Sequence, residues 1–303
     1  MNAANLDGLG PYGRIRTFAD PLLKGFGQIM LQENAAAGAL FVAGIFYGSI
    51  TMGLGAILAV CCGTLTAKLL GFGRTEIDKG LYGFSPALVG VALLLCFKPV
   101  FVVWLLVAAG SAAAAMMQHF FIRRSIPAFT LPFVVVTWAI LLFGHLIYPE
   151  ILAVSGGATA NLDVWFPLRG YGQVIFQSGV VAGGIFLIAV LISSPAAAVY
   201  GIIGAVVAGL ASYLAGAPAE AVGMGLFSYN AVLCAITFAG KRIEDAAWAI
   251  LAVAISVILA LLMARFQLVQ LTFPFVAASC IVTGIKSSRT RLPSRFGSSS
   301  SVN

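Results

Sequence analysis

A five-residue pattern occurs twice in the chain, 145 positions apart. Gln28-Ile29-Met30-Leu31-Gln32 stands ahead of an apolar run at 35–46, and Gln173-Val174-Ile175-Phe176-Gln177 stands ahead of a similar run at 181–192. The same offset carries Gly80-Leu81-Tyr82-Gly83-Phe84-Ser85 onto Gly225-Leu226-Phe227-Ser228-Tyr229-Asn230, and Leu88 onto Leu233. A third pair, Thr130-Leu131-Pro132-Phe133 and Thr272-Phe273-Pro274-Phe275, sits at an offset of 142. Three motifs in one order at nearly one spacing mark an internal duplication. The chain divides into an N-terminal segment 1–25, a first repeat 26–150, a connecting loop 151–170, a second repeat 171–286 and a tail 287–303.

Composition says what the repeats are made of. Of the 303 residues 61% are hydrophobic and 9% charged, and the mean hydropathy is +1.03. A soluble domain carries about 25% charged residues, so 17 basic and 10 acidic side chains cannot clothe this chain in water. The sequence reads as an all-α integral membrane protein. That leaves no room for a large soluble domain, a nucleotide-binding cassette or an extracellular receptor module. A helical span needs about 20 residues. The apolar segments of the first half are 35–49, 52–70, 86–97, 99–118 and 129–148; those of the second are 180–194, 196–215, 231–240, 246–265 and 274–286. About ten transmembrane segments result, five per half. An odd number per half sends the second half into the membrane from the opposite side, so the repeats are expected to be inverted.

The few charges sort by side. With the N-terminus cytoplasmic, Arg14, Arg16, Lys24, Lys68, Arg74, Lys79, Arg123, Arg124, Lys241 and Arg242 lie inside, joined by Lys286, Arg289, Arg291 and Arg295. Lys98, Arg169 and Arg265 lie outside. This is the positive-inside bias, and it places both termini in the cytoplasm of a multi-pass cell (inner) membrane protein. It also accounts for the net charge of +7 without nucleic acid as a partner. The first 25 residues are polar and lack the apolar core of a secretory signal, so the first spans are expected to direct their own insertion. The tail after Lys286 is expected to be disordered. Cys61, Cys62, Cys96, Cys234 and Cys280 include no C-x-x-C pair, and no disulfide, metal or cofactor is expected.

Inverted repeats with interrupted helices are an architecture of transporters, with the substrate near the midplane where the halves meet. Residues 80–83 and 223–228 interrupt two apolar stretches, each opening a segment too short to cross. Pro132 and Pro274 interrupt two more; a proline inside a helix releases the carbonyl four residues earlier, here at Ala128 and Gln270. Every Asp and Glu lies at a segment end or in a loop, Glu33, Glu150, Asp163 and Glu220 among them. Ion-coupled carriers keep ionisable groups within the bundle, so the expected cargo is a neutral solute moving downhill. The repeat-matched polar groups are Gln28 with Gln173 and Thr130 with Thr272, and beside them stand Phe84, Leu88, Tyr229 and Leu233. Together they describe re-entrant or broken helices around a central pore. Its narrow apolar slot carries amide, hydroxyl and carbonyl oxygens along one edge. Such a slot suits a small flat molecule that donates hydrogen bonds at its edges and stacks its faces on rings.

At these residues the chain resembles the urea transporter family, and it is read as a bacterial member. Ile126-Pro127-Ala128-Phe129-Thr130-Leu131-Pro132-Phe133 is close to the family's L-P-x-x-T-x-P-F signature. Gly80-Leu81-Tyr82-Gly83-Phe84, Gly172-Gln173-Val174, Gly183-Gly184-Ile185-Phe186-Leu187 with Ser193-Ser194-Pro195, and the 225–230 motif also match, so the resemblance covers about 25–285. It implies a homotrimer of channel-like protomers in the lipid bilayer, each passing urea through its own pore. It further implies that Gln28-Ile29 and Gln173-Val174 accept from urea nitrogens and that Thr130 and Thr272 line a constriction. Phe84, Leu88, Tyr229 and Leu233 would form the slots, with Phe176 beside the second glutamine motif. Four departures stand out: Ser85-Pro86 where the family has Asn and a small residue, Leu31 where Phe is common, no leading Pro in the signature before Thr272, and the hydroxyl that Tyr229 adds to one slot.

Plainer roles compete for each residue. The glutamines could cap helices, the threonines could satisfy carbonyls of their own helices, and the leucines could be ordinary core. The alternative function is a channel for ammonium or another small neutral amide. Paired pore histidines would favour ammonium, but His119 and His145 do not match across the repeat and fall near opposite faces. A membrane enzyme would need a His/carboxylate or Ser/Lys cluster; none is in view, and no catalytic residue is assigned.

Overall fold

The structure is a computed structural model, and it describes residues 11–153 and 161–291, with the side chains of 11–17 and 290–291 left aside. The regular structure among the described residues is helical, apart from one antiparallel bridge between Phe97 and Leu152. The first half holds α1 (Pro11–Gly27), α2 (Ala35–Gly48), α3 (Ile50–Leu69), α4 (Arg74–Asp78), α5 (Phe84–Cys96), α6 (Phe101–Arg123) and α7 (Leu131–Ile147). The second holds α8 (Phe166–Gln173), α9 (Val180–Ser193), α10 (Pro195–Leu214), α11 (Ala219–Gly223), α12 (Tyr229–Thr237), α13 (Ile243–Arg265) and α14 (Phe273–Arg291). Each of the ten expected apolar segments falls on one of these helices, with ends within five residues. The order long, short, long recurs in both halves.

The duplication is written into the backbone as well. Left-handed φ values occur in matched pairs: Leu31 with Phe176, Gly71 with Gly216, Gly80 with Gly225, Ser125 with Gln267, and Phe129 with Leu271. Gly80 and Gly225 illustrate why the residue type is fixed. Their φ values are 76° and 77°, and a Cβ on either would lie 2.3 Å from the nitrogen of Gly25 or 2.4 Å from that of Gly170. Neither the torsion nor the space admits a side chain.

Among the described residues four helices are long and apolar enough to cross a bilayer singly: α3, α6, α10 and α13, at 20 or 23 residues. At 1.5 Å per residue, 20 residues match the hydrocarbon core of about 30 Å. A fifth candidate is the pair Phe18–Met30 and Ala35–Gly48, bent by 75°. The outer faces of the four long helices expose large apolar residues, such as Ile50, Leu54 and Leu65 on α3 and Ile250, Ile258 and Leu262 on α13. A surface of this kind is stable against lipid and not against water. The chain is a multi-pass membrane protein.

Two of the shorter helices, α5 and α12, occupy the inside. Residues 84–94 of α5 are all buried, as are 229–236 of α12, the burial expected of helices apolar on every side. α5 packs against α3, α6 and α7, and α12 against α10, α13 and α14. Where α2 meets α9, Phe41 and its repeat mate Phe186 touch edge to face, centroids 5.4 Å apart.

Three expectations change. Residues 1–25 were expected to precede the first repeat as a polar segment, yet α1 begins at Pro11 and Phe26 is fully buried. Polar neighbours hide an apolar stripe there, Phe18, Leu22 and Phe26, at four-residue spacing. At the other end α14 continues to Arg291, five residues into the expected tail; positions 292–303 lie outside the described residues. Finally, Pro132 and Pro274 do not break helices. Each is the second residue of its helix, where the missing N–H would have no intrahelical partner anyway. The carbonyls expected to be released are engaged: Ala128 O accepts from Leu131 N at 2.9 Å and Gln270 O from Phe273 N at 3.1 Å.

Candidate functional site

Two left-handed residues aim the signature threonines. Phe129 (φ 47°) and Leu271 (φ 44°) turn the chain just before α7 and α14, so Thr130 and Thr272 stand at the two helix entrances. Thr130 is the N-cap of α7, a position where a hydroxyl commonly accepts from the backbone, yet it makes no cap bond. Its Oγ1 instead lies 2.7 Å from Oγ1 of Thr272. Both residues are buried, at 2% and 1% exposure. In such a pair one hydroxyl donates to the other, which leaves the second O–H and the remaining lone pairs for a third group. The plainer role, satisfying carbonyls freed by the prolines, is not the one adopted.

The glutamines form a second matched pair. Gln28 Nε2 donates to Lys79 O at 3.1 Å, and Gln173 Nε2 donates to Met224 O at 3.1 Å. A carbonyl only accepts, so the amide must turn its NH2 toward it, and each Oε1 is left as the acceptor end. Both bonds reach the turn that opens a buried helix, α5 or α12. Neither glutamine is hydrogen-bonded to a threonine; each stays with its own half. Gln28 is half-buried and Gln173 buried.

The remaining sequence-predicted residues line the same interior. Ile29, Phe84, Leu88, Val174, Tyr229 and Leu233 belong to one buried apolar cluster, with Phe176 packed against it. Phe176 faces Phe133 across the halves, at 6.1 Å between centroids. Tyr229, an aromatic slot residue by expectation, also donates its hydroxyl to Leu271 O, beside Thr272. The surroundings carry no charge. Two ion pairs stand four residues ahead of the glutamines, Lys24 with Asp20 (2.8 Å) and Arg169 with Asp163 (2.7 Å); the second closes the start of α8, where Arg169 also donates to Gly223 O.

Asn230 was missed. Its Nδ2 donates to Leu271 O at 3.3 Å and its Oδ1 accepts from Phe275 N at 3.2 Å, so one amide holds both sides of the turn into α14. The signal was available: Asn230 ends the 225–230 motif, and its mate Ser85 is too short to do the same. Ser85 Oγ is buried without a partner.

The histidines take no part. His119 pairs with Tyr82 OH and stacks on Phe72, and His145 Nδ1 lies 2.9 Å from Leu141 O of its own helix. Among the described residues no cluster of His, Cys, Asp or Glu could hold a metal, and the five cysteines are free thiols. A cavity of about 520 Å³ between α10 and α13 contains none of the candidate residues; its walls, such as Ile203, Val207 and Ile250, face outward, where lipid tails belong.

This chain is similar to known proteins over most of its length. The family model described as urea transporter matches residues 19–287. Urea transporter 1 of Ovis aries and that of Capra hircus are each 28% identical to it over 243 residues, 74% of this chain and 63% of theirs. The same protein of Rattus norvegicus is 28% identical over 246 residues. The chain thus spans less than two thirds of the length of these relatives. A match to the family model over nearly the whole duplicated region, with the paired motifs in place, settles the membership: the chain belongs to the urea transporter family.

Proposed function

We propose that the protein is a channel-like urea transporter giving passive, uncoupled passage of urea through a pore between its two halves. The observation that carries this reading is the Thr130–Thr272 contact at 2.7 Å. Two hydroxyls meet on the line where the halves join, within an uncharged interior. Urea is flat, donates through four N–H bonds and accepts at one oxygen. The glutamine Oε1 atoms accept from its N–H groups on either side of the threonines, and a threonine O–H donates to its carbonyl. Phe84 and Leu88 in one half, and Tyr229 and Leu233 in the other, bound a slot that admits the flat faces; Ile29, Val174 and Phe176 back the glutamines. With no carboxylate or cation along the path, nothing couples the flux to ions.

The same reading has ten transmembrane segments in two inverted repeats, with α1–α2 and α8–α9 broken and α5, α7, α12 and α14 crossing in part. Both termini are cytoplasmic, and the protein acts as a homotrimer in the cell membrane. The mapping of the basic residues supports the orientation; family membership supports the assembly and the substrate.

The experiment is solute flux in proteoliposomes. Urea uptake is expected to be fast and indifferent to pH and ion gradients, and to fall at least tenfold in Thr130→Val and Gln28→Leu. Urea entry no faster than into protein-free vesicles would overturn the reading, and methylammonium entry in its place would favour the ammonium alternative.

A further inference from the structure

The last turn of α6 carries a cluster that the pore does not use. His119, Arg123 and Arg124 line a cavity of about 480 Å³ together with Met116 and Phe120. Two of the basic groups are held in place. His119 stacks on Phe72, rings 3.6 Å apart and 3° from parallel, while its Nδ1 lies 2.9 Å from Tyr82 OH. That leaves Nε2 for a ligand. The Arg124 guanidinium sits over the Phe120 ring at 3.9 Å, which limits its motion and leaves its N–H fork open.

No carboxylate answers this charge. The ion pairs among the described residues are Lys24–Asp20, Arg74–Asp78, Arg169–Asp163 and Lys286–Asp245; Arg123 and Arg124 are in none of them. Glu76 of α4 is close enough for its field to reach His119, but it does not line the cavity. The repeat provides an internal control. α13 matches α6 at an offset of 142, and the corresponding positions are Leu261, Leu262, Arg265 and Phe266. The fold therefore builds the same helix end without the His-Arg-Arg cluster, so packing does not require it.

Position and chemistry identify the occupant. Arg123 ends a membrane-spanning helix, so the cavity opens at the bilayer surface. Two of its walls, Met116 and Phe120, are about half exposed and apolar, the surroundings of a glycerol backbone and the first methylenes. Two guanidiniums and an imidazole above them match a phosphate diester. We propose that this cavity binds the headgroup of an anionic phospholipid. The site needs no assumption about the transported solute.

The test uses the purified full chain in neutral detergent, titrated with phosphatidylglycerol, phosphatidylcholine or inorganic phosphate, and reads bound lipid and melting temperature. Phosphatidylglycerol is expected to bind and to raise the melting temperature, with little response to phosphatidylcholine. Each surface cation contributes roughly fivefold to such binding, so Arg123→Gln with Arg124→Gln is expected to weaken it about thirtyfold. Lys241→Gln with Arg242→Gln, a basic pair elsewhere, is expected to leave it unchanged. His119→Leu installs the residue that α13 already carries and leaves both arginines in place, and it is expected to weaken binding severalfold even if the arginine variant does not fold. Equal losses in the two double variants, unaltered binding in His119→Leu, or an equal response to inorganic phosphate would each overturn the proposal.

Discussion

The hydroxyl oxygens of Thr130 and Thr272 lie 2.7 Å apart, although 142 residues separate them in the chain. The pair joins the entrances of α7 and α14, so it is a bond between the halves. Removing one member leaves the other hydroxyl buried and unpartnered, which costs about 1–3 kcal/mol. Thr130→Val and Thr272→Val are each expected to lower stability by that amount, and the double variant by less than the sum. Detergent melting of the four proteins in a double-mutant cycle measures the coupling; strict additivity would show that the hydroxyls do not bond.

Asn230 and Ser85 occupy matching positions with opposite consequences. Asn230→Ala removes two hydrogen bonds at the turn into α14, to Leu271 O and from Phe275 N, an expected loss of about 1–3 kcal/mol. Ser85→Ala removes a buried hydroxyl that has no partner and is expected to be neutral or stabilising. The same melting assay separates them, and a loss in Ser85→Ala equal to that in Asn230→Ala would contradict the assignment.

Glycines in the second half should divide by sign. Gly225→Ala forces a side chain into a left-handed residue whose Cβ would lie 2.4 Å from Gly170 N; poor folding or a loss above about 2 kcal/mol is expected. Gly184 lies inside α9 with nothing within 4 Å of its would-be Cβ. Gly184→Ala is expected to gain about 0.5–1 kcal/mol through helix propensity. Expression yield and melting temperature report both.

The Asp163–Arg169 pair makes stability depend on pH in a defined window. The Arg169 guanidinium, by hydrogen bonding, holds the Asp163 carboxyl below its ordinary value, with the Trp165 N–H adding to the effect and desolvation opposing it. A carboxyl depressed in the folded state stabilises above its unfolded value of about 3.9 and loses that contribution as pH falls through the folded one. Asp163→Asn is therefore expected to melt below the parent by a constant margin from pH 5 to 8, and the margin is expected to close on acidification. A margin that grew toward low pH would exclude the ion pair as its source.

Much of the fold was legible because the forces that write it are local. Apolar runs located helices, four or five of them long enough to span singly or as a bent pair, the repeat paired the motifs, and scarce acids marked the buried core as uncharged. Other features were silent because they depend on what a residue meets after packing. α1 looked polar until Phe26, at the end of its apolar stripe, had a surface to bury against. Pro132 read as a break until α7 was seen to begin one residue before it.

The sequence by itself determined the class, the duplication and the identity of the matched polar residues, since hydropathy and motif spacing are properties of the chain alone. Tertiary structure decided how those residues are used. It turned Thr130 away from its own helix and onto Thr272, spent each glutamine NH2 on a turn carbonyl, and gave Asn230 a task its mate Ser85 cannot perform. The physical reason is that a hydrogen-bonding group commits to whichever partner is within about 3 Å once the backbone is fixed, and the left-handed turns at Phe129 and Leu271, which residue type alone does not announce, set that distance.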